Sequence, residues 1–479
     1  MRKLTNTLVF VIFLVGLAIP GSWVGAQSAT GQTWTSSITY YTPSDSAGNL
    51  SIVYYDGLTT YTAGPFAMNP HAAGSVNIGS TSVPDGFAGS AVLSADVPII
   101  ATYVQFAKTV PFEYSRSFYT GFDSSDAGSN FYLPTTRANG ITTTQIGVQN
   151  TDDFEITATL DFYSVSAPTA VYFTHSVDLD ASASYVVSVP SIPTYPGGGF
   201  DGSLVITATK KGDPGTPGHV VAVAQETQDS GRAVYGYEGS SSGATSLFVP
   251  TATCRRGATE QTSYFAVQNT GDSDADVVID YYDTTGALVG SMPTTVVAEG
   301  AKVSTNPCAQ DLLINALGSA VIRSTNGQPL VAIGKVASND GLVTAFVAEA
   351  SGATLLAAPY IRWAADPATN FRAFIAIMNV GSDPAESIVV NYYDAAGTLR
   401  AAHTVASPGS PLARFTKVNS NPSTAGALIG DSFGYSPNGG AVEIVSDQPV
   451  VALIRLVTNP TGLGSVTTMG EDYSGVPSE

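Results

Sequence analysis

The sequence predicts an all-β chain of four tandem β-sandwich domains in an extended array, and three observations carry the prediction. One strand pattern occurs four times, ending in Tyr54-Tyr55-Asp56, Phe162-Tyr163-Ser164, Tyr281-Tyr282-Asp283 and Tyr392-Tyr393-Asp394, at spacings of 108, 119 and 111 residues. Within each copy apolar and polar residues alternate, the mark of an antiparallel sheet covered on one side. No capped amphipathic helix longer than about two turns separates the copies.

Residues 1–26 read as a secretory signal peptide. Arg2 and Lys3 precede an apolar run at 8–18, and Val24-Gly25-Ala26 suits cleavage before Gln27. The run is short for a bilayer span, although an uncleaved anchor is the alternative. The repeats then fall at 27–128, 129–243, 244–352 and 353–479, each a usual size for a sandwich domain. The recurrent strand puts Leu50, Ile52 and Tyr54 on one face, then Ile156, Ala158, Leu160 and Phe162, then Val277, Ile279 and Tyr281, then Ile388, Val390 and Tyr392. That face looks into a core. Asp283-Thr284-Thr285-Gly286 and Asp394-Ala395-Ala396-Gly397 follow as turns, with Asp capping and Gly supplying positive φ.

Three further landmarks recur. A strand ends in Asn150, Asn269 or Asn379, with Thr42 at the matching place in the first repeat. Gly-Ser opens an apolar strand at Gly89-Ser90, Gly202-Ser203 and Gly318-Ser319, varied to Gly439-Gly440 in the fourth. Its hairpin partner begins at Pro98, Pro329 and Pro449, a strand position that needs no donor, and at His219 in the second repeat. In the third repeat, strands are expected at 247–249, 264–268, 277–282, 288–292, 302–305, 320–323, 331–336 and 343–347. Short strands with turn signals between them give the immunoglobulin-like sandwich pattern.

Composition narrows the function. Thirty-eight acids against 19 Lys and Arg give a net charge of −19, which argues against nucleic acid and anionic membrane as partners. Charged residues make only 12% of the chain, so Ser, Thr, Asn, Gly and Tyr must cover the surface, as suits a secreted, extracellular protein. After signal cleavage no segment is expected to insert in a membrane. Cys254 and Cys308 lie in one repeat and read as a disulfide in an exported protein, two free thiols being the alternative.

Short Gly/Ser junctions, as in Gly239-Ser240-Ser241-Ser242-Gly243, predict beads joined into a rod. The first repeat lacks the opening strand of the others, offering only polar residues from Gln27 to Trp34. The chain ends in Val476-Pro477, like a junction whose strand stops. These ends suggest head-to-tail strand exchange between copies, with atypical terminal caps as the plainer reading.

The motif Val267-Gln268-Asn269-Thr270-Gly271, the Tyr-Tyr-Asp turn, Gly318-Ser319-Ala320-Val321 and Gln328-Pro329-Leu330-Val331-Ala332 together resemble tandem immunoglobulin-like β-sandwich repeats of secreted and cell-surface proteins of filamentous, Chloroflexota-type bacteria. Residues 264–336 and 374–455 carry the resemblance best. It implies a modular extracellular role, with the chain itself or other surface components as partners, and it transfers no catalytic residue.

Chemistry-bearing residues are few. His71, His175, His219 and His403 show no recurrent Ser, Cys or carboxylate beside them, so no enzyme and no cofactor is expected. Asp272, Asp274 and Asp276 are spaced as oxygen ligands that can hold Ca2+, but the EF-hand pattern is absent and such residues also simply cap turns. The outer-face Tyr55, Tyr163, Tyr282 and Tyr393 offer a binding stripe, or a cover for an adjoining domain. The expected function is a structural or adhesive cell-surface protein that acts through protein–protein contacts, with self-assembly as a filament or surface-layer subunit; the alternative is a secreted glycan- or protein-binding array.

Overall fold

The computed structural model describes residues 8–14, 34–56, 59–107, 115–228, 233–368, 370–435, 439–461 and 466–478. It is nearly all β, with 62% strand, 3% helix and several antiparallel sheets. Among the described residues no helix is long and apolar enough to cross a membrane.

One strand order recurs in every repeat. In the third, the first sheet runs Ser246–Thr253, Leu317–Ser324, Ala275–Asp283 and Leu288–Ser291, with Thr295–Val297 also on Ala275–Asp283. Its second sheet runs Lys302–Thr305, Thr262–Asn269, Leu330–Ala337 and Val343–Val347. The fourth repeat builds the same pair of sheets around the single long strand Gly440–Thr458, which passes through both. In the second repeat Asn130–Ala138 lies against both Phe200–Lys210 and Thr142–Asn150, joining the two sheets.

The landmarks have physical causes. The inward residues Tyr54, Phe162, Tyr281 and Tyr392 are fully buried, as the alternation requires. Asn150, Asn269 and Asn379 are buried clamps. Each Oδ1 accepts the N–H two residues on at 2.9 Å, and each Nδ2 donates to carbonyls of two separate loops. A side chain on Gly202 or Gly318 would strike the Tyr163 or Tyr282 carbonyl within 2.0 Å, so the Gly-Ser strand can approach only as glycine. In the turns, Gly286 and Gly397 sit at φ 83° and 84°, and the Asp283 and Asp394 carboxylates accept loop N–H groups.

Three expectations change. The array is not extended. The last strands of the four second sheets, Arg116–Thr120, Ala233–Glu238, Val343–Val347 and Met469–Ser474, lie each beside the next, and Met469–Ser474 returns beside Arg116–Thr120. The repeats therefore close into a ring. The junctions cannot act as hinges, because they are hydrogen-bonded to opening strands: Tyr132 pairs with Ser240 and Phe248 with Glu349. The chain's end makes the same pairing, Ala357 with Val476 and Leu356 with Pro477, so Val476 and Pro477 are held within their own repeat rather than left for exchange.

The first repeat also differs from expectation. The run Leu8–Leu14 pairs with Gly89–Ala95, the place that an opening strand holds in the other repeats. Trp34 begins the strand Trp34–Tyr41 of the second sheet, in register with the strand Ile100–Ala107. Gln27 lies outside the described residues.

Candidate functional site at the seams between repeats

Each seam sets the second sheet of one repeat against the first sheet of the repeat before it, and the ring closes with the first repeat on the fourth. The outer-face tyrosines are drawn into these seams. Tyr163 lies against Gly300 of the third repeat, where an added Cβ would meet its ring at 2.5 Å. The Tyr282 ring stands 4.8 Å from Phe415 of the fourth. Tyr393 stacks on His71 of the first at 4.8 Å. Tyr55 lines a cavity of about 520 Å³ with Gln149, Asp152 and His219 of the second. All four are half-buried, and they do not form a free stripe. The cause is the ring itself, since the face they occupy is the one the next repeat covers.

The serine of the Gly-Ser strand is a second seam device. Ser203 donates to Gly300 O at 2.7 Å, and Ser319 donates to Phe415 O at 2.5 Å.

The seam between the second and third repeats is held by buried charge. Lys302 and Lys335 project from the third repeat. Lys302 meets Asp201 and donates to Thr135 Oγ1 at 3.1 Å. Lys335 donates to Glu226 Oε2 at 2.8 Å, and the Tyr235 hydroxyl donates to the same carboxylate at 2.6 Å. Arg137 lies 3.2 Å from Asp201 and 3.5 Å from Glu226. Burial alone would raise the Glu226 carboxyl; Lys335 and Arg137 outweigh it and hold the group below the usual range.

The seam between the third and fourth repeats repeats this plan without its acceptors. Lys417 stands opposite Met378 as Lys302 stands opposite Gln268, one residue before the landmark Asn. Arg455 pairs with Phe374 as Lys335 pairs with Tyr264. Thr251 follows Pro250 as Thr135 follows Pro134, and Lys417 donates to Thr251 Oγ1 at 3.3 Å. Leu317, however, stands where Asp201 would be, and Val336 where Glu226 would be. Arg455 takes Asp472 of its own repeat, with Nε donating to Oδ1 at 2.7 Å. Among the described residues Lys417 Nζ has no carboxylate within ion-pair reach. It lies on an open cavity of about 440 Å³, shared with Arg256, Arg455, Phe374 and Leu317.

The ends of the four central strands also meet around a cavity of about 250 Å³. Burial pushes the Glu238 carboxyl up to about 8 and Glu349 up to about 7, and raises Asp126; Glu349 and Asp126 add to the rise at Glu238, and Asp126 adds to it at Glu349.

The remaining expected sites are placed as follows. Cys254 and Cys308 form a disulfide across 54 residues, beside the wall that carries Thr251 and Arg256. Asp272 and Asp274 are exposed and Asp276 is half-buried. Among the described residues, no group of three His, Cys, Asp or Glu is arranged to hold a metal. His403 Nδ1 lies 2.7 Å from Ser420 Oγ, a pair the sequence reading missed; Ser420 is fully buried and also bonded to the Tyr392 hydroxyl, so it is closed to a substrate. His71 and His219 face Asp45 and Asp152 on separate loops.

Lys417 was also missed. Its signal was a comparison between repeats: the same lysine position twice, with an acid at 201 and a leucine at 317. Compared with known proteins, the chain matches no family model and no curated protein significantly.

Proposed function

We propose that the chain is an extracellular structural or adhesive cell-surface protein, made of four immunoglobulin-like sandwich domains closed into a ring and acting through protein–protein contacts. The observation that carries this reading is the use of the seams. The tyrosines, the serines Ser203 and Ser319, and buried ion pairs such as Lys335 with Glu226 join one repeat to the next, which stiffens the particle. A stiff particle loses little conformational freedom when it binds or assembles.

The assembly form of this reading rests on the strand Gly89–Ala95. Removal of residues 1–26 as a signal would take away Leu8–Leu14 and uncover that edge. An uncovered edge accepts a strand from another chain. The test compares, by size-exclusion chromatography and negative-stain electron microscopy, the chain beginning at Gln27 with the full chain. Oligomers of the shorter chain, dispersed by a peptide of residues 8–14, are expected. A shorter chain that stays monomeric at every concentration overturns assembly through this edge. The second reading, a secreted binding array, is favoured by the cavities at the first and third seams.

A further inference from the structure

We propose that the cavity between the third and fourth repeats binds a small organic carboxylate, with the carboxylate on Lys417 and the body of the ligand against Phe374 and Leu317.

Three observations carry it. First, the Lys417 side chain is more than nine-tenths buried, and among the described residues Thr251 is its one hydrogen-bond partner. A buried ammonium without a counter-charge is costly, and proteins ordinarily pair it. Second, the chain itself shows the paired version. The matching Lys302 rests on Asp201, and a ligand carboxylate on Lys417 would stand in for that side chain where Leu317 has replaced it. Third, the site has room and mixed chemistry. Its volume of about 440 Å³ lies in the range of small-molecule sites, and its walls combine cations with Phe374, Leu342 and Leu453.

The charges facing the amine favour an anion. Arg256 stands at the mouth and Arg455 lies deeper, already paired with Asp472. Asp340 is the acid on the lining, where its carboxylate accepts hydroxyls from Ser338 and Thr468. Burial, then Arg455 and Arg256, push the Lys417 amine down to about 7, with Asp472 opposing. A bound carboxylate favours the protonated amine, so affinity should fall as pH rises through that value. The small apolar-walled cavity selects a single organic acid over a polymer lying across the surface.

The test is thermal shift and isothermal titration of the full chain with benzoate and glucuronate, against benzyl alcohol, glucose, sulfate, phosphate and chloride at matched ionic strength. Saturable binding of at least one carboxylate is expected, stronger at pH 6 than at pH 8. Lys417→Met should weaken it at least tenfold. Leu317→Asp, which restores the acid of the preceding seam, should abolish it independently. Circular dichroism establishes that each variant is folded. The proposal is overturned by equal responses to chloride, by binding of sulfate or phosphate alone, or by carboxylate binding that survives both substitutions.

Discussion

The second and third seams are the same interface solved in two ways. In the second, Lys302 and Lys335 reach across to Asp201 and Glu226, so each buried amine has a carboxylate partner inside the protein. In the third, Lys417 and Arg455 occupy the same register positions, but Leu317 and Val336 replace both acids. Arg455 recovers a partner in Asp472 from its own repeat, while Lys417 retains only a threonine. One backbone plan therefore yields a closed seam or an open, cationic one, according to two side chains. Repetition fixes where the groups stand; the exceptions within it mark where one seam departs from the shared plan.

The comparison predicts effects of graded size. The largest is at the closed seam. Glu226→Ala leaves Lys335 and Arg137 buried without their shared acceptor and should cost about 3–5 kcal/mol, read from urea unfolding. A loss under about 1 kcal/mol would mean that water reaches this seam.

At the open seam the sign reverses. Lys417→Met removes an uncompensated amine and keeps its apolar stem, so stability should rise, by about 1–3 kcal/mol. Destabilisation would show that the amine has a counter-charge in solution.

Smaller again is the aromatic lock. Tyr282→Leu loses the contact with Phe415 but keeps apolar bulk, and should cost about 0.5–1.5 kcal/mol. No measurable change would place Tyr282 outside the seam.

The last effect is a slope rather than a single loss: the pH dependence at the ends of the central strands. Glu238 and Glu349 ionise near 4.5 when unfolded but near 8 and 7 in the ring. Between those values the unfolded chain binds fewer protons than the folded one, so stability falls as pH rises from 5 to 8. Glu349→Gln should flatten that slope, measured as melting temperature against pH. An unchanged slope would exclude Glu349 as a source.

Much of the local structure was legible because it is periodic. The inward faces at Ile52, Leu160, Ile279 and Val390, the Asp–Gly turns and the Cys254–Cys308 pairing all depend on short-range pattern or simple chemistry. The ring was not legible, since closure depends on contacts between residues such as Tyr41 and Glu443, whose hydroxyl–carboxylate bond spans 402 positions. The tyrosine positions were readable and their partners were not: nothing near Tyr282 announces Phe415. The opening strand of the first repeat escaped because Leu8–Leu14 has the composition of an export signal as well as of a buried strand. Lys417 became visible only when the repeats were compared position by position.

Closure of the ring is the claim on which the seams depend. Small-angle X-ray scattering of the chain beginning at Gln27, read at low concentration where it is monomeric, tests it directly. A compact particle of this length should give a radius of gyration of roughly 23 Å. A value near that, with the pair-distance distribution of a compact body, is the predicted result. A radius about twice as large, with the long tail of four beads in a line, would contradict the ring and return the chain to an extended rod.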